Sequence, residues 1–222
     1  MNPLLLQPVV TGDASLRLER LSAVPTSTTW HDISATGNNG TAADAAMFSD
    51  FYFDSIVDEV VMGSADPSAD FTSDWSLAFW YKRDTSVATG YNTLMQNRRT
   101  APNGGFILRD RTDPSPPADY SFEIVSPYQN TGTLVTGADA NWHFAVVIWT
   151  PGSPNTIASY IDGVFHKSIT TANVPAAGGP LQIGKGFYYR FAGNMDTVRS
   201  YNRALSPDEI LRDYHAGKVA HP

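Results

Sequence analysis

The chain has 222 residues, a formal net charge of −7, 42% hydrophobic residues and no cysteine. Folding at this length buries roughly 70% of the unfolded chain's surface, so a core forms without staples, and the lack of cysteine excludes a disulfide framework, a thiolate metal site and a cysteine nucleophile. The 15 Lys and Arg residues are scattered and outnumbered by 22 Asp and Glu, which excludes a nonspecific nucleic-acid surface and a polybasic membrane contact, and no run approaches the ~20 apolar residues of a membrane span.

The opening MNPLLLQPVV has no basic residue and is broken by Pro3 and Pro8, so it does not read as a signal peptide. Residues 1–13 are read as an extended arm and 14–222 as one domain, since no linker divides the chain. Leu16 and Leu18 alternate in a first strand. Trp30 to Thr41, WHDISATGNNGT, is turn chemistry, because Asn, Asp and Gly accept left-handed backbone. Phe51 to Met62 and Trp75 to Lys82 are rich in aromatic and β-branched residues and predict strands. Leu77, Phe79 and Tyr81 alternate toward a core, while Trp80 on the other side predicts a strand covered on both faces.

Phe106–Leu108 and Tyr120–Val125 predict further strands around a proline-rich loop. His143–Trp149 is apolar on both faces and therefore central. Asp162-Gly163 between two strand-like runs predicts a type I′ hairpin, and Leu181–Gly184 adds a strand. In the closing stretch, Asn194–Tyr201 predicts a strand with Met195, Thr197, Arg199 and Tyr201 on one face and Asp196, Val198 and Ser200 on the other. A helix follows, with Ser206 as N-cap, Pro207 in the first turn, Glu209 completing a capping box, and Ile210, Leu211 and Tyr214 on one stripe. Gly217 stands where a left-handed cap would end it. Ten to thirteen short strands and one helix give an all-β sandwich or jelly roll.

Four segments in order carry a resemblance: WHDISATGNNG at 30–40, FTSDWSLAFWYK at 71–82, WHFAVV followed by YIDG within 142–163, and GNMDTVRSYNRALSPDEI at 193–210. Together they resemble the laminin G-like (pentraxin-related) branch of the concanavalin A-like jelly rolls. The resemblance implies two curved antiparallel sheets packed face to face, with binding loops at a rim or on the concave face. It implies no particular activity, since the fold hosts lectins, adhesion modules, glucanases and structural parts.

A retaining glycosidase needs two carboxyls about 5 Å apart, and the Glu-x-Asp-x-x-Glu strand of laminarinase-type enzymes is absent. Asp54, Asp58 and Glu59 split across both strand faces, and Glu123 stands alone. The Gly179–Lys185 run lacks the Ser or Thr of a phosphate loop. The histidines form no zinc pattern, no serine sits in a nucleophile elbow, and Asn39-Gly40-Thr41 reads as a turn rather than a glycosylation sequon. Calcium takes Asp, Asn and carbonyl oxygens, and the candidate ligands are Asp32, Asn39 and Asp196. The plainer reading, local turn bonds for Asp32 and Asn39 and backbone donors for Asp196, comes ahead of it. For ligand binding the candidates are Tyr188, Tyr189 and Arg190 in one loop and Tyr91 with Asn92 in another. Exposed aromatics also anchor protein interfaces, and interface or packing takes precedence there over sugar.

The expectation is a noncatalytic recognition or structural module. A cysteine-free domain of this kind, without an evident export signal, suits a virion component, a capsid-decorating or tail protein of a phage assembled in the host cytoplasm and tethered by Met1–Asp13. Its partners would be virion proteins or further copies of itself, and a surface glycan, without nucleic acid or membrane insertion. The alternatives are a soluble or secreted carbohydrate-binding lectin, placed outside the cell, and a polysaccharide-degrading enzyme using Glu123 or Asp58.

Overall fold

The computed structural model describes residues 16–18, 29–30, 39–42, 52–54, 59–65, 70–86, 92–100, 103–110, 119–125, 128–136, 139–186 and 189–222. The arm 1–13 lies outside them. Along the chain the strands are β1 Leu16–Leu18, β2 Thr29–Trp30, β3 Gly40–Ala42, β4 Tyr52–Asp54, β5 Val60–Ala65, β6 Trp75–Arg83, β7 Asn92–Gln96, β8 Arg99–Thr100 and β9 Asn103–Gly104. They continue with β10 Phe106–Asp110, β11 Asp119–Val125, β12 Tyr128–Thr136, β13 Trp142–Thr150, β14 Asn155–Ile161, β15 Val164–Thr171, β16 Pro180–Ile183, β17 Tyr189–Arg190 and β18 Ala192–Tyr201; α1 is Pro207–Lys218. One sheet runs β1-β18-β6-β13-β14-β15 with β4 also on β18, the other large sheet runs β12-β11-β10-β7-β16-β5-β3-β2 with β17 on β7, and β8 and β9 form a separate two-stranded ladder. Apart from β17 every pairing is antiparallel. This is the all-β jelly-roll sandwich with one helix at its end.

The central strands explain their own composition. Trp75, Leu77, Phe79 and Tyr81 of β6 and Ala145, Val147 and Trp149 of β13 face the core between the sheets. The alternate residues Ala78, Trp80, Phe144, Val146 and Ile148 form a second apolar layer with Leu205 and Ile210, under α1. Trp80 is thus covered on its outer side by the helix. The helix starts as its sequence dictates: Ser206 Oγ accepts from the Glu209 N–H and Glu209 Oε2 accepts from the Ser206 N–H at 2.8 Å. The two Arg203 guanidinium nitrogens donate to Glu209 at 2.9 and 2.8 Å and hold its carboxyl down at about 2. The hairpin turn is left-handed at both residues, Asp162 at φ 52 and Gly163 at φ 80, as a type I′ turn requires.

Two expectations are corrected. Asp196 pairs with Trp80 and Arg199 with Ala78, so three steps along β18 oppose two along β6. The extra residue is Thr197, held at φ 54. This bulge flips the alternation: Met195 and Val198 face the core, whereas Asp196, Arg199 and Tyr201 face the helix layer. Gly217 does not cap α1, which ends at Lys218 with Val219 as C-cap. It is instead a contact residue, because a Cβ there would come within 2.5 Å of the Trp80 indole nitrogen. The described residues form eighteen strands where ten to thirteen were expected: β7, β12 and the short β2, β3, β8, β9 and β17 are absent from the sequence-based expectation, β2 and β3 pairing as a hairpin that takes in both ends of the Trp30–Thr41 stretch read as turn.

Candidate functional site

The two segments proposed for ligand binding meet at one rim. β16 runs antiparallel along β7, with Gln182 opposite Gln96 and Ile183 opposite Met95. Gly184 then turns at φ 77, its N–H donating to Leu94 O at 2.7 Å. No other residue fits there, since a Cβ would overlap the Phe53 ring, and one on Gly186 would overlap Thr93. Lys185 Nζ lies 2.7 Å from Glu59 Oε2. The chain returns as β17, parallel to β7, placing Tyr189 beside Asn92 and Arg190 beside Thr93. Phe191 closes the loop by donating to Gly184 O at 2.9 Å. Its ring sits in the core edge-on to Phe53, and there the chain crosses into the other sheet.

The neighbouring end of that sheet is polar. Tyr52 Oη donates to Asp84 Oδ2 at 2.6 Å, and Ser86 donates to Asp84 Oδ1 through its hydroxyl and its N–H. The Ser86 hydroxyl, then Tyr52, then the Ser86 N–H hold the Asp84 carboxyl below the usual range. Asp84 N–H donates in turn to Ala192 O at 3.0 Å, two residues past Arg190.

Of the sequence candidates, Tyr188 and Tyr91 lie outside the described residues, as does Asp32. The backbones of Tyr189 and Asn92 are paired as above, and Arg190 is half-buried in β17 rather than at a loop tip. Asn39 is exposed, and its carbonyl accepts from Gly63 N–H at 3.0 Å in the nine-stranded sheet. Asp196 is in the seven-stranded sheet, buried toward the helix, and accepts from Thr197 Oγ1 at 3.2 Å with His221 Nε2 at 3.0 Å. Asn39 and Asp196 are therefore not brought together. Among the described residues no group of three His, Asp or Glu side chains could hold a metal; Asp32, the remaining calcium candidate, lies outside them. Asp58 lies outside the described residues, and Glu123 is placed by its backbone between Ile107 and Asn130.

A further polar cluster escaped the sequence reading. His143 Nδ1 lies 2.9 Å from Asp162 Oδ2 and His143 Nε2 lies 2.8 Å from Asp139 Oδ1. The Asp162 bond, supported by Asp139 and opposed by burial, pushes the imidazole up to about 9. Asp139 is held at about 2, first by the Asn141 N–H and then by His143. Asp162 also accepts from the Phe144 N–H, so it clamps the start of β13 to the β14–β15 turn. The Asp-Gly pair and the Trp-His dipeptide were both visible, but only folding brings them together.

A family profile described as the concanavalin A-like lectin/glucanases superfamily, of laminin G type, matches residues 60–211. No curated protein matches the chain in sequence. Among solved structures, the botulinum neurotoxin serotype D binding domain superposes with a TM-score of 0.66 at 15% identity, over 92% of this chain and 52% of that one. The serotype D ligand-binding domain in complex with N-acetylneuraminic acid gives 0.63 at 15% identity, over 92% and 51%. Domain 4 of an extracellular arabinanase from Geobacillus stearothermophilus, in complex with arabinotriose, gives 0.53 at 16% identity, over 89% and 86%. The chain spans about half the length of the neurotoxin domains, and at these identities the likeness is one of fold.

Proposed function

The chain belongs to the concanavalin A-like lectin/glucanase superfamily, and from that premise we propose that it is a noncatalytic recognition module that holds a surface glycan where β17 lies beside β7. The pairing of Tyr189 with Asn92 and of Arg190 with Thr93 carries the reading. It brings together, in the backbone, two segments rich in Tyr, Asn and Arg, and flat rings with amide and guanidinium donors are the groups that a sugar takes. The backbone pairing of β17 with β7 is also held in place, so binding does not have to order it first. The saccharides in two solved structures of the same fold add support, and for these reasons sugar takes precedence here over a protein interface.

Glycan-array binding tests the proposal. The chain is expected to bind a restricted set of glycans, and Tyr188→Ala with Tyr189→Ala is expected to abolish binding while leaving the melting temperature unchanged. No glycan bound, or full binding by the double variant, overturns it. Polysaccharide turnover that is lost with Asp58→Asn or Glu123→Gln would contradict the noncatalytic part.

The cellular setting of the proposal is the virion surface, with Met1–Asp13 as tether. It rests on the sequence, and particle incorporation lost on deleting 1–13 is its test. Calcium enters only through the Asp32 loop: a rise in melting temperature at saturating calcium, removed by Asp32→Ala, supports it, and the absence of any rise removes Asp32, Asn39 and Asp196 as ligands.

A further inference from the structure

Among the residues whose side chains the structure describes, every exposed Lys, Arg and His lies on two neighbouring elements: His166 and Lys167 in β15, and Arg212, His215 and Lys218 in α1. Four of the five exposed large apolar side chains lie there or just beyond, Val164 at 66%, Phe165 at 55%, Leu211 at 41% and Val219 at 84%. The two elements touch. A Cβ on Gly163, in the turn that opens β15, would lie 2.9 Å from Leu211 Cδ1 and 3.1 Å from Tyr214 Cδ1. Phe165 meets Tyr160 edge-on at 5.5 Å, and Lys218 Nζ lies 5.3 Å over the Tyr214 ring. β15 carries no acid and α1 exposes only Asp208, in its first turn, whereas the whole chain has a net charge of −7. β15 is also the last strand of its sheet, pairing among the described residues with β14 alone.

We propose that this basic, apolar flank docks an extended acidic segment of another protein, one with large apolar side chains between its carboxylates. Lys167, Arg212 and Lys218 complement the carboxylates, Phe165, Val164 and Leu211 take the apolar anchors, and the outer edge of β15 offers backbone donors and acceptors to an added strand. Charge decides against two other occupants. A second copy on a twofold axis would set the three cations against themselves and join two chains of −7. The strand edge itself also resists a second copy: Tyr160 pairs with Phe165 and Ser159 with Lys167, so His166 is an extra residue, and a bulge beside a lysine is a device that keeps an edge from its own kind. An anionic bilayer would be repelled by the rest of the chain and would leave the strand edge unused. The flank is separate from the β7–β17 rim and does not depend on the glycan reading.

The test is binding of a synthetic peptide alternating Glu with Phe and Leu to the full chain, followed by fluorescence anisotropy at low and high salt. The peptide is expected to bind saturably, and more weakly as salt rises. Lys167→Glu with Arg212→Glu is expected to weaken binding by roughly tenfold or more, Phe165→Ser is expected to act in the same direction, and both are expected to leave the melting temperature unchanged. The same peptide with Ser in place of Phe and Leu is expected to lose most of its affinity. No saturable binding, undiminished binding by the charge-reversed variant, or equal affinity for the Ser peptide overturns the proposal. So does tighter binding to vesicles of phosphatidylserine in phosphatidylcholine, which points to a lipid surface, or a dimer in sedimentation that Phe165→Ser abolishes, which points to a second copy.

Discussion

Arg199 and Asp213 form an ion pair between β18 and α1 that is almost wholly withdrawn from solvent, with Arg199 Nη1 3.3 Å from Asp213 Oδ2. Burial outweighs Arg199 and Arg212 and raises the Asp213 carboxyl above its usual range. The folded state therefore binds its proton more tightly than the unfolded state does, and this group's contribution falls as pH rises from 3.8 through the raised value, a dependence that Asp213→Asn removes. Arg199→Met strands a buried carboxylate and is expected to cost about 3–5 kcal/mol in urea unfolding, while Arg199→Met with Asp213→Leu recovers most of that loss.

The His143 clasp gives a pH window. Its imidazole rises from 6.5 to about 9 on folding, so its stabilisation is complete below 6.5 and fades as pH climbs through about 9. Asp139 drops from 3.8 to about 2, so its share is complete above 3.8 and fades as pH falls through about 2. Because Asp139 is half exposed to solvent, screening reduces the His143 contribution to about 1–2 kcal/mol. Titration of the His143 ring by NMR is expected to centre near 9, and His143→Gln is expected to flatten the alkaline limb of the stability curve.

Gly217→Ala runs against helix propensity. In an open helix the change stabilises by about 1 kcal/mol; here the new methyl meets the Trp80 indole, and overpacking is expected to cost about 1–3 kcal/mol. Calorimetric melting of the variant checks the sign.

Gly186→Ala probes the rim. The added Cβ overlaps Thr93, so the chain at Gly186 or Thr93 in β7 must shift. Glycan binding is expected to fall at least tenfold, with a loss of about 1–3 kcal/mol in stability. Gly186→Ala with Thr93→Gly relieves the overlap and is expected to restore part of both.

Much of the sandwich was readable because local chemistry and final environment agree. Leu77, Phe79 and Tyr81 alternate and face the core; Asp162-Gly163 turns as the pair prefers; Ser206 and Glu209 cap the helix they were expected to cap. The reading failed where a residue's role is set by something distant in sequence. A strict period of two carries Arg199 to the wrong face, since nothing local announces the extra residue at Thr197. Gly217 looks like a helix stop until Trp80 is beside it. β7, Asn-Thr-Leu-Met-Gln, lacks the β-branched density of β13, and its place comes from β10, β16 and β17 around it. The candidate site was half readable: both of its segments were picked out from their aromatic and amide residues, and their adjacency was not.

The loop between Gly184 and Phe191 is stitched shut by its own backbone and bolted to Phe53 at its base. The hold on this loop is therefore at its two ends, so exchange of Gly184 or Phe191 is expected to loosen the sandwich itself.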